Sequence, residues 1–245
     1  MKKVIFLDAV GTIFDVKGSV GNIYAYVASN YNIYVSSEEL NRSFRNAWRR
    51  SPEATFDADL SQNKLRELER LWWKNIVAET FRPLMDLNDF PDFESFFSEV
   101  FDYFATSEAW HVFPEVELAL QDWLSSGFEL GVISNFDSRL THVLSALGLS
   151  DYFSSVTIST QVNAAKPNPR IFHHALAQYG YLLSQGVHIG DQYVDDFQGA
   201  EGAGLKALWL IRGDDAEQVA REQGLLPGQY ITHLDIALVN KAVNF

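Results

Sequence analysis

Val4-Ile5-Phe6-Leu7-Asp8-Ala9-Val10-Gly11-Thr12 is a short, unbroken apolar run stopped by an aspartate and a glycine turn. Four apolar residues in a row, without polar alternation, describe a strand buried on both faces, as strands of parallel sheets are. The same grammar recurs downstream. Runs at 128–133 and 187–189 stop at Ser134-Asn135 and Gly190-Asp191, and further apolar runs lie at 156–158 and 205–210. Helical spacing separates them, near 116–125, 139–147, 169–179 and 194–203. Strands alternating with helices of roughly 10–15 residues predict an α/β fold, a Rossmann-like parallel sheet with helices on both faces.

Between the first strand and Pro114 the period changes. Apolar residues recur at helical spacing near 19–30, 37–50, 61–80 and 93–107, with Pro83, Asn88 and Pro91 marking a break between the last two. An all-helical, four-helix cap inserted into the sheet domain is expected at 16–112, with the core at 1–15 and 113–245. The composition breaks near 14–18 and 111–114 are the expected hinges for closure of one part on the other.

Composition excludes whole classes. Of 245 residues, 47% are hydrophobic and none is Cys, which rules out a disulfide scaffold, a Cys-ligated zinc and a thiol nucleophile. Nineteen Lys+Arg against 32 Asp+Glu leave a net charge of -13, the wrong sign for a general nucleic-acid binder. The apolar run after Lys2-Lys3 is too short for a signal sequence or a membrane span, which need roughly 7–15 and about 20 residues. No membrane association and a cytoplasmic address are therefore expected.

Ligands of an open parallel sheet bind beyond the carboxyl ends of its strands. Those ends carry Asp8, Ser134 and Asp191, with Asp195-Asp196 close behind and Lys166 at a proline-marked helix entry. Carboxylates, a hydroxyl and a lysine on an acidic chain suit a small anionic substrate held with a hard divalent cation, which takes oxygen ligands. Asp8 could attack a phosphoryl group, with Lys166 and Ser134 on its oxygens.

The order Asp8-x-Val10-Gly11-Thr12, Ser134-Asn135, Lys166-Pro167 and Gly190-Asp191-x4-Asp196 resembles the haloacid dehalogenase-like hydrolase superfamily. The inserted helices are similar to those of its branch with a small helical cap, and the chain looks most like the branch named after a rhythmically expressed gene 2 product. The resemblance implies a Mg²⁺-dependent phosphatase of small phosphorylated metabolites. It makes Asp8 the nucleophile and a metal ligand, the main-chain carbonyl of Val10 a second ligand, and Asp191 a third, with Asp196 supporting the metal. Ser134 and Lys166 hold the phosphoryl group, and Gly11, Thr12 and Asn135 line its pocket.

Val10 departs from the pattern. Phosphatases of the superfamily carry there a second Asp, which protonates the leaving oxygen and then activates water, help worth about 10²–10⁴-fold. A slow phosphatase is expected. Three other readings stay open: 2-haloacid dehalogenation, phosphonate cleavage through a cap lysine (Lys17, Lys64 or Lys74), and a weakened protein that binds Mg²⁺ and phosphate without useful turnover. Among residues outside the motifs, Arg42, Arg45 and Arg49 share one helix face and could greet an anion or simply be solvated. The cap's aromatic set, including Trp72, Trp73, Phe97 and Phe101, reads as packing.

Overall fold

The computed structural model describes residues 3–235 together with Ala237 and Val239. Its main sheet has six strands in the order β5-β4-β1-β6-β7-β8, every pair parallel. These are β1 (Lys3–Leu7), β4 (Phe128–Ser134), β5 (Ser155–Ile158), β6 (Gly186–Gly190), β7 (Lys206–Leu210) and β8 (Tyr230–Ile231). β1 lies between β4 and β6, with Leu7 opposite Val132 on one side and Ile189 on the other. The strand order therefore runs outward in both directions from β1, so the crevice for a ligand opens at its carboxyl end.

Alternation along β1 explains its wholly apolar sequence. Ile5 and Leu7 join one buried cluster, with Leu130, Val132, Val187 and Ile189, while Val4 and Phe6 join another, with Phe172, Ala175 and Leu176. Both faces are covered, and burying each such side chain contributes about 1.5–3 kcal/mol. The covering helices include α5 (Val116–Ser125), α6 (Leu140–Ala146), α8 (Pro169–Ala177) and α10 (Ala216–Glu222), with two short turns, α7 (Ser159–Val162) and α9 (Gly199–Gly202).

Four helices follow β1: α1 (Val20–Ser29), α2 (Ser37–Arg50), α3 (Gln62–Phe81) and α4 (Phe93–Tyr103). Ser19 and Ser61 accept hydrogen bonds from the backbone N–H of Asn22 and Lys64, capping α1 and α3. Tyr24, Phe81, Phe96 and Phe97 of these helices belong to the same apolar cluster as Ile5 and Leu7, so helices and sheet share one interior. Phe81 and Phe96 meet edge-to-face, their ring centres 5.2 Å apart.

The structure differs from the sequence reading in three places. α4 stops at Tyr103 rather than 107, because side chains take its last carbonyls: Arg139 Nη1 donates to Phe101 O at 2.7 Å and Trp110 Nε1 to Phe104 O at 3.1 Å. The expected helix at 194–203 begins as a π-helical turn, Tyr193–Gln198, before α9. The breaks near 14–18 and 111–114 contain an antiparallel pair, β2 (Phe14–Val16) and β3 (Trp110–Val112), with Phe14 opposite Val112. No helix among the described residues is long and apolar enough to cross a membrane.

Candidate active site

Three adjacent strand ends deliver the polar residues. Asp8 follows β1, Ser134 closes β4, and Asp191 follows β6; Asp8 and Ser134 are buried, and Asp191 is half-buried. Asp8 N–H donates to Ile189 O at 2.9 Å, which continues the ladder past the strand and fixes where the carboxylate points. The chain then reverses in a tight turn, with Ile13 N–H donating to Ala9 O at 2.8 Å and Gly11 N–H to Phe14 O at 2.8 Å.

Lys166 ties the site together. Its Nζ donates to Asp8 Oδ1 at 2.7 Å, Asp196 Oδ1 at 2.6 Å and Ile133 O at 3.0 Å, so all three of its protons are engaged at 4% exposure. Burial alone would lower its pKa, but the charges of Asp196 and Asp8 outweigh that and raise it. Asn135 holds the lysine's backbone: Lys166 N–H donates to Asn135 Oδ1 at 2.7 Å, and Asn135 Nδ2 donates to Lys166 O at 2.9 Å. Through these two bonds Asn135 positions the backbone of Lys166.

Asp196 is saturated as well. Besides Lys166, its Oδ1 accepts from His188 Nε2 at 2.8 Å, and its Oδ2 accepts from Gln192 N–H at 2.9 Å. Burial works against its ionisation, yet Lys166 and His188 overcome it and hold the carboxyl well below the usual range. The π-helical turn makes this possible, because it brings Asp196 back under the residue four before it. Asp195 next to it is half-buried, and burial raises its pKa.

Asp8, Asp191 and Asp196 each present a carboxylate oxygen within 4.8 Å of the others. Desolvation first, then the charges of Asp8 and Asp196, pushes Asp191 up to about 7. Asp8 is raised too, by its burial, against the pull of Lys166. One oxygen of this cluster, Asp191 Oδ1, is buried and hydrogen-bonds to nothing. An orphaned anionic oxygen among three close carboxylates, with a single lysine for counter-charge, fits a hard divalent cation.

Thr12 is fully buried, and its Oγ1 bonds to nothing, Asp8 included. Its carbonyl, by contrast, accepts from Arg212 Nη2 at 2.9 Å. Arg212 also donates to Gly11 O at 3.3 Å and to Glu115 Oε1 at 2.5 Å, bracing the turn that carries Gly11. A second polar group joins helices to sheet: Glu69 of α3, 2% exposed, accepts from Ser138 N–H at 3.0 Å and from Thr160 Oγ1 at 2.5 Å. Trp73 Nε1 donates to buried Asp137 at 2.6 Å. Sequence reading missed Arg212, Glu69, Asp137 and His188. Two of them left a signal: Glu69 interrupts the apolar stripe of α3, and His188 sits inside an apolar strand.

Residues 2–204 match the haloacid dehalogenase-like hydrolase family. The haloacid dehalogenase-like hydrolase domain-containing protein 3 of Xenopus laevis is 32% identical over 208 residues, 85% of this chain and 84% of that one. A glyceraldehyde 3-phosphate phosphatase of Methanopyrus kandleri is 29% identical, covering 80% of this chain and 86% of its own. The rhythmically expressed gene 2 protein of Drosophila melanogaster is 25% identical over 82% of this chain and 80% of its own. Among solved structures, a 2-haloacid dehalogenase from Pseudomonas syringae superposes with a TM-score of 0.65 at 23% identity, over 100% of this chain and 99% of that one. With its parallel sheet, its acid-bearing strand ends and this match over most of its length, the chain belongs to the haloacid dehalogenase-like hydrolases.

Proposed function

We propose that the protein is a Mg²⁺-dependent phosphatase of small phosphorylated metabolites, working through an aspartyl-phosphate on Asp8. The observation that carries this reading is the orphaned Asp191 Oδ1 beside Asp8 and Asp196, a donor set with a use in phosphoryl chemistry and none in displacing halide. Asp8 and Asp191 would hold the cation with the Val10 carbonyl, and Asp196 would brace them through Lys166. Bound there, the cation neutralises the carboxylates and the incoming phosphoryl group, so that like charges can meet. The similarity to a glyceraldehyde 3-phosphate phosphatase supports the same chemistry.

Each residue then has a task. An Asp8 oxygen attacks phosphorus, the P–O bond to the alcohol breaks, and the alkoxide leaves with a proton from water. Ser134, placed by β4, carries a phosphoryl oxygen, and Lys166, placed by the Asn135 clamp, turns the N–H it now gives to Asp8 onto another. Water then attacks phosphorus, the P–O bond to Asp8 breaks, and inorganic phosphate departs. Val10 offers no proton at either step, so turnover is slow. The helices at 16–112 serve as a cap over the site, with Gly11 and Thr12 forming the turn beneath it.

The phosphonate reading loses ground because the two cavities at the site are not lined by Lys17, Lys64 or Lys74. Lys64 pairs with Glu67, and Lys74 with Glu94. The test is hydrolysis of an aryl phosphate with Mg²⁺, with EDTA, and by Asp8→Asn protein. Turnover abolished by both controls supports the mechanism; turnover that survives either one overturns it.

A further inference from the structure

Two cavities share a wall between the carboxyl edge of the sheet and the helices of 16–112. The smaller, about 200 Å³, contains Lys166 and Asp195. The larger, about 450 Å³, is lined by Val10, Tyr24, Phe97, Val100 and Phe101 among others. Trp48, Trp73, Asn135 and Phe136 border both. A volume of several hundred cubic ångströms with apolar walls is what a binding pocket for an organic molecule has.

Two polar groups on the larger wall, Arg139 and Asn135, already have protein partners. The Arg139 guanidinium pairs with Asp137 at 2.7 Å and lies 3.7 Å over the Phe101 ring. Asn135 is bound on both sides to the Lys166 backbone. Arg45 and Arg49 are exposed. A polyhydroxylated body in this cavity would give up water for few partners among the aromatic and aliphatic side chains that make up most of its wall, whereas an apolar one would gain from the transfer. Val10, two residues after Asp8 in the chain, lines the larger cavity and keeps its wall apolar there.

We infer that the preferred substrate is a phosphate monoester whose alcohol bears a bulky apolar, aromatic body. The phosphoryl group would sit at Asp8 and Lys166, and the body would fill the 450 Å³ cavity. This rests on the phosphatase reading above and narrows it. The missing acid at position 10 and the apolar cavity are then one adaptation, since a carboxylate there would face the buried body of the substrate.

The test compares 2-phenylethyl phosphate with glycerol 1-phosphate, both esters of primary alcohols, so that leaving-group chemistry is matched. In parallel, calorimetry compares 3-phenylpropylphosphonate with ethylphosphonate, neither of which can be hydrolysed. The expected result is a kcat/KM at least tenfold higher for the phenyl ester and at least tenfold tighter binding of the phenyl phosphonate. Its heat-capacity change should be more negative, the mark of apolar burial. Val100→Phe, which narrows the cavity, should cut both preferences at least fivefold, and Val16→Phe on the half-buried rim should do the same should the first variant not fold.

Equal or reversed preference for the two esters overturns the inference and leaves the phosphatase reading standing. Hydrolysis of neither ester, with the phenyl phosphonate still preferred, overturns the phosphatase reading but supports the cavity as a site for an apolar anion. Equal binding of the two phosphonates overturns the cavity's assignment.

Discussion

A Cβ atom at Gly11 would lie 2.5 Å from Oδ2 of Asp191, so the first motif of the chain makes room for the last. Gly11 also has φ of +84°, where a side chain is strained by about 1–3 kcal/mol. Gly11→Ala should both destabilise the fold and push Asp191 off its position. Mg²⁺ affinity measured by calorimetry should fall about 10–100-fold, as it does when the support of a metal ligand is disturbed. Unchanged affinity would separate Asp191 from the metal.

Lys166 pairs with both Asp8 and Asp196, all three deeply buried. Removing one partner from a buried ion pair leaves an uncompensated charge and costs about 3–5 kcal/mol. Lys166→Met should lose stability of that order in urea denaturation of the metal-free protein. Combining it with Asp8→Asn should cost less than the sum of the two, because the second change removes a stranded charge.

Asp191, with a pKa near 7, gives the metal-free protein an unusual pH dependence. Between its ordinary value of 3.8 and about 7 the folded state binds its proton and the unfolded state does not. Its contribution to stability is therefore fully present below pH 3.8 and lost as pH rises towards 7. With EDTA, the Tm difference between wild type and Asp191→Asn should shift against the wild type across that window. Under the proposed function Mg²⁺ would bind the deprotonated carboxylate, so it should raise Tm more at pH 8 than at pH 6. A variant whose pH profile parallels the wild type would contradict the assignment.

Glu69 bridges α3 to the loops that carry Ser138 and Thr160. Glu69→Ala strands the buried Thr160 hydroxyl and the half-buried Ser138 donors and should cost about 1–3 kcal/mol in denaturant melts. Thr160→Val removes one partner only and should cost less. A neutral Glu69→Ala would show that the apolar cluster alone holds the helices against the sheet.

Val10→Asp restores a proton donor beside Asp8. Turnover of glycerol 1-phosphate should rise, towards the about 10²–10⁴-fold worth of general acid–base help. A variant that folds, binds Mg²⁺ and gains nothing would show that another group already does this work.

Much of the fold was readable because buried parallel strands have little freedom of composition. The runs ending at Asp8, Ser134 and Asp191 could belong to few other structures, and the resemblance carried by the four motifs extends to the matched family. What escaped were features set by tertiary contact. β2 and β3 are three residues each, and Asp15 or His111 gives no sign of pairing. The π-helical turn brings Asp196 to Gln192 N–H, which no periodicity encodes. The resemblance places Asn135 in the phosphate pocket, and only geometry adds that its amide clasps the Lys166 backbone. The 450 Å³ cavity is assembled from residues as far apart as Val10 and Arg139, each unremarkable alone.

The pairing of Phe14 with Val112 closes the chain on itself where it leaves and re-enters the sheet region. The chain between enters and leaves through this one stem. Closure entropy grows only slowly with loop length, so that stem tolerates segments of very different size at nearly constant cost to the sheet. The hydrolytic apparatus at the strand ends is in this sense a socket. Under the proposed function, substrate choice would be rewritten by exchanging what is plugged into it, while Asp8, Lys166 and Asp191 stay where the sheet holds them.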